Sequence, residues 1–121
     1  VNFIATDLLA LVKLNFFPYY ENLIRSKIKT TTFRLCNGSR YKEGDEVMLS
    51  IGWDEKKAFN LHKARISMVY SRRIRELNDF DFEGESPDCK SQEAAILVLG
   101  CIYKIVLTID DEICIIKFIH L

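Results

Sequence analysis

Apolar residues alternate strictly at Val47, Leu49 and Ile51, and again at Ala64, Ile66, Met68 and Tyr70, with Arg65, Ser67 and Ser71 between the latter set. A period of two predicts two strands, each with one buried face. Val69 is the exception, apolar on the opposite parity of the second strand. Residues 11–17 read as a first strand, after which Pro18 supplies a backbone angle suited to the first turn of a helix. Tyr19, Tyr20, Leu23 and Ile24 recur at helical spacing through about Ser26, giving a stripe to bury with Glu21, Asn22 and Arg25 outside it. Three consecutive threonines favour extended structure over residues 27–35. Residues 36–40 form a loop by composition. Residues 41–45 make a turn in which Gly44 can take a positive φ, and residues 52–62, polar and irregular, a projecting hairpin loop.

The second half begins with an acidic stretch over residues 79–90, carrying Gly84 and Pro87. It reads as a loop or the lead-in to a helix, with Ser86 as the cap of a helix started by Pro87. Residues 91–104 predict a helix, since Gln92, Glu93, Ala94 and Ala95 favour that state. The β-branched run over residues 113–121, interrupted by Lys117, predicts a closing strand buried on both faces. Strands and helices without regular βαβ alternation argue an α+β fold, its strands long enough to wrap a small barrel.

The 121 residues suffice for one hydrophobic core, and 49% apolar with 28% charged residues is a globular balance. Seventeen cationic and seventeen acidic side chains cancel, so net charge offers no support for a nucleic-acid or membrane partner. Distribution says more: residues 25–42 hold Arg25, Lys27, Lys29, Arg34, Arg40 and Lys42 and no acid, while the acids gather at residues 79–88 and 110–112. Cys36, Cys89, Cys101 and Cys114 are widely separated, and His62 and His120 stand apart from them. Local spacing therefore supports neither a metal site nor a disulfide framework, and reduced thiols in a cytoplasmic protein are expected. Residues 1–12 are apolar but broken by Asp7 and lack a leader pattern, and no segment is long enough to span a bilayer.

A strand and a Tyr-containing helix are followed by the uninterrupted string Lys29-Thr30-Thr31-Thr32-Phe33-Arg34, which reads K-T-x-T-x-R. Gly44-Asp45 then precedes a strand, Glu83-Gly84 precedes a helix ending near Tyr103, and a hydrophobic strand closes the chain. This order resembles the ASCH domain, a PUA-like β-barrel flanked by two or three helices, over residues 14–121, with residues 1–13 as an N-terminal extension. The resemblance points to residues 27–34 as the working segment. In one branch of the family, the small bacterial 4-acetylcytidine amidohydrolases, it implies Lys29 as base, Thr32 as nucleophile and Glu83 as the third catalytic residue. Glu85 is a competing match for the last. Lys27, Tyr20, Arg34 and Arg40 would serve the ligand, a nucleoside or RNA, and no cofactor is implied. Family members commonly carry Gly at the position of Lys27, where a left-handed helix cap is expected.

Thr32 could act as a nucleophile only with a neighbouring base, and Lys29 could be that base only when burial or nearby cations keep it unprotonated. Residues three apart point to opposite sides of a regular strand, so a Lys29–Thr32 partnership requires a bend at Thr30–Thr31. The expected activity is hydrolysis of the amide of an acylated nucleoside, with noncatalytic RNA or nucleotide binding as the alternative. A protein-interaction role is a third reading. Phe16, Phe17, Tyr19 and Tyr20 fit either core packing or base stacking, and Trp53 is expected to be exposed and able to touch a ligand.

Overall fold

The computed structural model describes residues 11–35 and 40–121. The extension over residues 1–10 and most of the loop over residues 36–40, with Cys36, lie outside the described residues. Five strands, β1 (Lys13–Phe16), β2 (Thr31–Leu35), β3 (Glu46–Ile51), β4 (Phe59–Arg73) and β5 (Glu112–His120), form one sheet in the order β1-β3-β4-β5-β2. Among the described strands only the β1–β3 pair is parallel. The sheet curls into a half-barrel, and its two edge strands are bridged where Arg34 Nη2 of β2 donates to the carbonyl of Asn15 in β1 at 2.6 Å. A short 3-10 turn (Pro18–Tyr20) and helix α1 (Glu21–Arg25) link β1 to β2, while α2 (Asp79–Phe82) and α3 (Gln92–Tyr103) link β4 to β5. The expected α+β class, a small barrel-like sheet with three flanking helices, is what forms.

Both sheet faces are covered, as the closing strand predicts. Along β5, Ile116 and Phe118 enter one core with Leu14, Phe16, Ile24, Val47, Leu49 and Ile51, while Ile113 and Ile115 enter a second with Phe33, Ala95 and Leu99. Each fully buried aliphatic side chain contributes about 1.5–3 kcal/mol to the folded state. The parity break in β4 has a physical cause. Ile66 faces Phe118 and Met68 faces Lys117, so Ser67 is an extra residue and the strand changes phase there. Beyond the bulge Val69 packs on the first core and Tyr70 on the second.

Several local expectations are corrected. The β3–β4 loop is shorter than residues 52–62, because β4 already starts at Phe59 and pairs with Ile51. The stripe on the first helix is narrower: Ile24 is buried, but Tyr19 is 71% exposed. The helix cap is Ser91, whose hydroxyl accepts from Ala94 N at 3.1 Å, and not Ser86; Pro87 lies in the loop before it. Lys27 adopts the left-handed conformation expected of a glycine, with φ 63°. The compensation is local, since the amides of Lys27, Ile28 and Lys29 all bond back to carbonyls of Ile24 and Leu23.

Candidate functional site

A strand at a sheet edge presents every second amide unpaired, and β2 shows how this chain answers that. The amide of Thr31 donates to the carbonyl of Gly84 at 3.0 Å, that of Phe33 to Glu85 Oε2 at 2.9 Å and that of Leu35 to the Tyr103 hydroxyl at 3.4 Å. Residues of the α2–α3 region thus occupy the place of a neighbouring strand. Thr30 N also donates to the Gly84 carbonyl, at 2.9 Å. Successive amides of an extended strand point to opposite sides, so two converging on one oxygen mark a kink at Thr30–Thr31, where a bend is expected. Gly84 permits the approach: its φ is 82°, and a Cβ there would overlap the Thr30 hydroxyl.

Below the kink, Lys29 is 3% exposed and its ammonium pairs with Glu85 Oε1. The remaining Glu85 bonds come from the amides of Phe33 and of Ser86, the latter at 2.6 Å, so both carboxylate oxygens are engaged. Lys29 Nζ lies over the rings of Tyr20 at 5.4 Å and Phe16 at 5.8 Å. Burial pushes the Lys29 pKa below its ordinary value, against the opposing pull of Glu85. On the same strand Thr32 Oγ1 accepts from Arg34 Nε at 3.1 Å.

These groups open onto a cavity of about 370 Å³. Lys29, Thr32, Arg34 and Glu85 line it together with Tyr20, Asp88, Cys89, Phe33, Leu99 and Tyr103, and the exposed Trp53 and the partly exposed Arg40–Glu55 ion pair mark its rim. Tyr20 donates its hydroxyl to Asp88 Oδ2 at 2.9 Å, and burial followed by this bond raises the phenol pKa. Burial likewise pushes the Cys89 thiol up to about 12, so it is protonated at neutral pH. Concave, largely apolar and furnished with a few convergent polar groups, this is the form of a small-ligand site.

Of the residues expected from sequence, Lys29, Thr32, Arg34, Tyr20, Arg40 and Glu85 line this cavity together. Glu83 is not among its lining residues. Its carbonyl accepts from the Thr31 hydroxyl at 2.6 Å and from Lys117 Nζ at 3.1 Å, and it borders a separate shallow depression with Phe80, Phe82 and Lys90. Lys27 is exposed and lies outside the lining as well. No hydrogen bond joins Lys29 to Thr32 among the described residues; each has its own partner. Asn15 and Asp88 carry no motif signal. Asn15 reaches the site through β1, held by Ser50 Oγ at 2.8 Å and by its own amide on the Gly52 carbonyl at 2.9 Å. Among the described residues no group of three or more His, Cys, Asp or Glu is placed to hold a metal ion, and no helix is long and apolar enough to cross a membrane.

No protein-family model and no curated protein matches the chain. Two solved structures are similar. A protein from Enterococcus faecalis of the DUF984 family superposes with a TM-score of 0.65 at 14% identity, covering 99% of this chain and 88% of that one. An ASCH domain from Lactobacillus crispatus superposes with a TM-score of 0.61 at 17% identity, covering 90% of this chain and 79% of that one. At such identities the likeness is one of fold, and the fold is that of the ASCH domain, as the order of motifs implies.

Proposed function

We propose that the cavity binds a nucleoside-sized ligand and hydrolyses an amide carried by it, with 4-acetylcytidine as the model substrate. The observation that carries this reading is a buried lysine, a threonine and a guanidinium lining one ligand-sized cavity together. In the productive state Lys29 is the free amine, a form that burial favours. Thr32 Oγ attacks the acyl carbon and gives its proton to Lys29, whose positive charge Glu85 then stabilises. The carbonyl oxygen takes up the negative charge beside the Arg34 guanidinium, which already donates to Thr32 Oγ1. Collapse breaks the C–N bond, and the proton passes from Lys29 to the leaving nitrogen. Water, deprotonated by Lys29, then cleaves the Thr32 ester, and Lys29 returns the proton to Thr32 Oγ as the carboxylic acid leaves. Glu85 rather than Glu83 takes the third role, as a positioning residue and not as the proton donor, because both its oxygens are engaged.

Purified protein incubated with 4-acetylcytidine should release the acetyl group, followed by chromatography. Thr32→Ala and Lys29→Ala should abolish turnover. Unchanged rates in either variant, or no turnover by the wild type across neutral and alkaline pH, would sink the assignment for this substrate. One observation favours a second reading. With the ammonium of Lys29 paired to Glu85, the same cavity could hold a nucleoside or nucleotide without reacting. Binding of cytidine without hydrolysis of its acetylated form would support that alternative.

A further inference from the structure

Trp53 is the chain's only tryptophan, and it is 61% exposed although this residue type is ordinarily well covered. It stands at the rim of the cavity. Its ring lies 5.0 Å from that of Phe17 and 5.1 Å from that of Tyr19, the second contact edge-on at 86°. Tyr19 in turn meets Tyr20 edge-on at 5.8 Å, so the aromatic row runs from the rim to the cavity wall. The indole is also anchored through its backbone. Gly52 donates its amide to the Phe16 carbonyl at 3.0 Å and accepts from Asn15 Nδ2 at 2.9 Å, which ties the residue before Trp53 to β1. A Cβ on Gly52 would come within 2.9 Å of Ala58 Cα, so glycine lets the loop fold back this tightly. Asp54 then caps the 3-10 turn Glu55–Lys57 by accepting from Lys56 N at 2.9 Å. An exposed aromatic face held in place by its neighbours loses little freedom when a ring settles on it.

We propose that Trp53, backed by Phe17 and edged by Tyr19, is a stacking subsite for the planar heteroaromatic ring of the ligand, a ring of the nucleobase class. This rests on the reading of the cavity as a nucleoside site and assigns the part of it that holds the base. Polar complementarity favours a heteroaromatic ring over a hydrocarbon one. Among the described residues Arg34 has no carboxylate partner, its bonds going to Thr32 Oγ1 and the Asn15 carbonyl, so a guanidinium remains for a ligand oxygen. Among the described residues Asp88 receives only the Tyr20 hydroxyl and can accept further N–H donors. A flat ring with both acceptor and donor edges meets these demands, and stacking on an aromatic side chain tolerates any base.

The single indole is its own reporter. Titration of the whole protein with cytidine should quench Trp53 fluorescence saturably, while ribose at equal concentration should leave it unchanged. By calorimetry, Trp53→Ala should weaken cytidine binding tenfold or more, and Trp53→Phe should keep most of the affinity. No cytidine binding, ribose binding as tightly as cytidine, or an unaltered Kd in Trp53→Ala would each overturn the proposal. Cytidine carries no amide, so this test is independent of turnover. Saturable quenching in a protein that leaves 4-acetylcytidine intact removes the hydrolase reading and keeps the stacking site, whereas turnover with a KM indifferent to Trp53→Ala does the reverse.

Discussion

Replacing Lys29 by Met isolates the one ion pair buried on both sides among the described residues. Its two side chains are 3% and 5% exposed, so water screens neither. Removing one partner of a buried pair costs about 3–5 kcal/mol, mostly because the other charge is stranded. In Lys29→Met the Glu85 carboxylate keeps the amides of Phe33 and Ser86, and the loss should fall near the lower end, about 3 kcal/mol. Glu85→Gln should cost more, about 4–5 kcal/mol. It leaves the ammonium unpaired and turns a donor NH2 towards a backbone amide that now has no acceptor. The double variant should cost less than the sum of the two by about 2 kcal/mol, the coupling expected of groups in direct contact. Urea unfolding followed by circular dichroism measures all four proteins. Single losses below about 1 kcal/mol, or additivity within about 0.5 kcal/mol, would refute the reasoning. The sign with pH is a second check. Burial holds the folded Lys29 pKa below the ordinary 10.5, so the unfolded chain keeps its proton to higher pH. Wild type should therefore gain stability relative to Lys29→Met as pH rises towards that value, and the opposite slope would show that Glu85 outweighs desolvation.

Gly84→Ala should destabilise by about 2–4 kcal/mol, since the new Cβ meets the Thr30 hydroxyl at a left-handed backbone position. Gly44→Ala, with φ 88° and nothing within 4 Å of the added carbon, should cost only about 1–2 kcal/mol. Equal urea midpoints for the two would contradict the close packing of Gly84 on the kink. His120 Nε2 donates to the Lys29 carbonyl at 2.7 Å, which leaves its Nδ1 to accept from His62 Nε2, also at 2.7 Å. Protonation of His120 would set a second hydrogen against that donor, and burial already holds both pKa values below the ordinary 6.5. A histidine depressed in the folded state binds its proton more readily when unfolded, so stability falls as pH drops below that value. The urea midpoint should decline from about pH 7.5 to about 5.5 more steeply in wild type than in His120→Gln, and parallel slopes would dismiss the pair as a contributor.

What the sequence made legible follows from the range of each signal. Alternation in β3 and the two-sided burial of β5 depend on near neighbours in the chain, and both hold in the structure. So does the kink at Thr30–Thr31, because the demand for it came from counting residues along one strand. Apart from a loop bound, a helix stripe and a helix cap, the errors are non-local or concern a single inserted residue. Ser67 has no composition that marks a bulge, and it moves every later side chain of β4 to the other face. The choice between Glu83 and Glu85 could not be read from spacing. It depends on which carboxylate reaches the outer amide of Phe33, a residue more than fifty positions away along the chain.

That same contact explains why fold and candidate chemistry are inseparable in this protein. An edge strand must have its outer amides satisfied, and here the acceptor on the amide of Phe33 is the carboxylate that holds the buried lysine. The carbonyl that fixes the kink belongs to Gly84, the residue before it. Most of the edge protection, the turn of the backbone between Lys29 and Thr32, and the ion pair that holds Lys29 are therefore set by two consecutive residues of one loop. A substitution at either should disturb stability and ligand chemistry together, whereas Trp53, at the rim and outside both hydrophobic cores, can be changed with its effect confined to the ligand. This separation is what makes the tryptophan variants the cleaner probes of binding and the Lys29–Glu85 variants the cleaner probes of architecture.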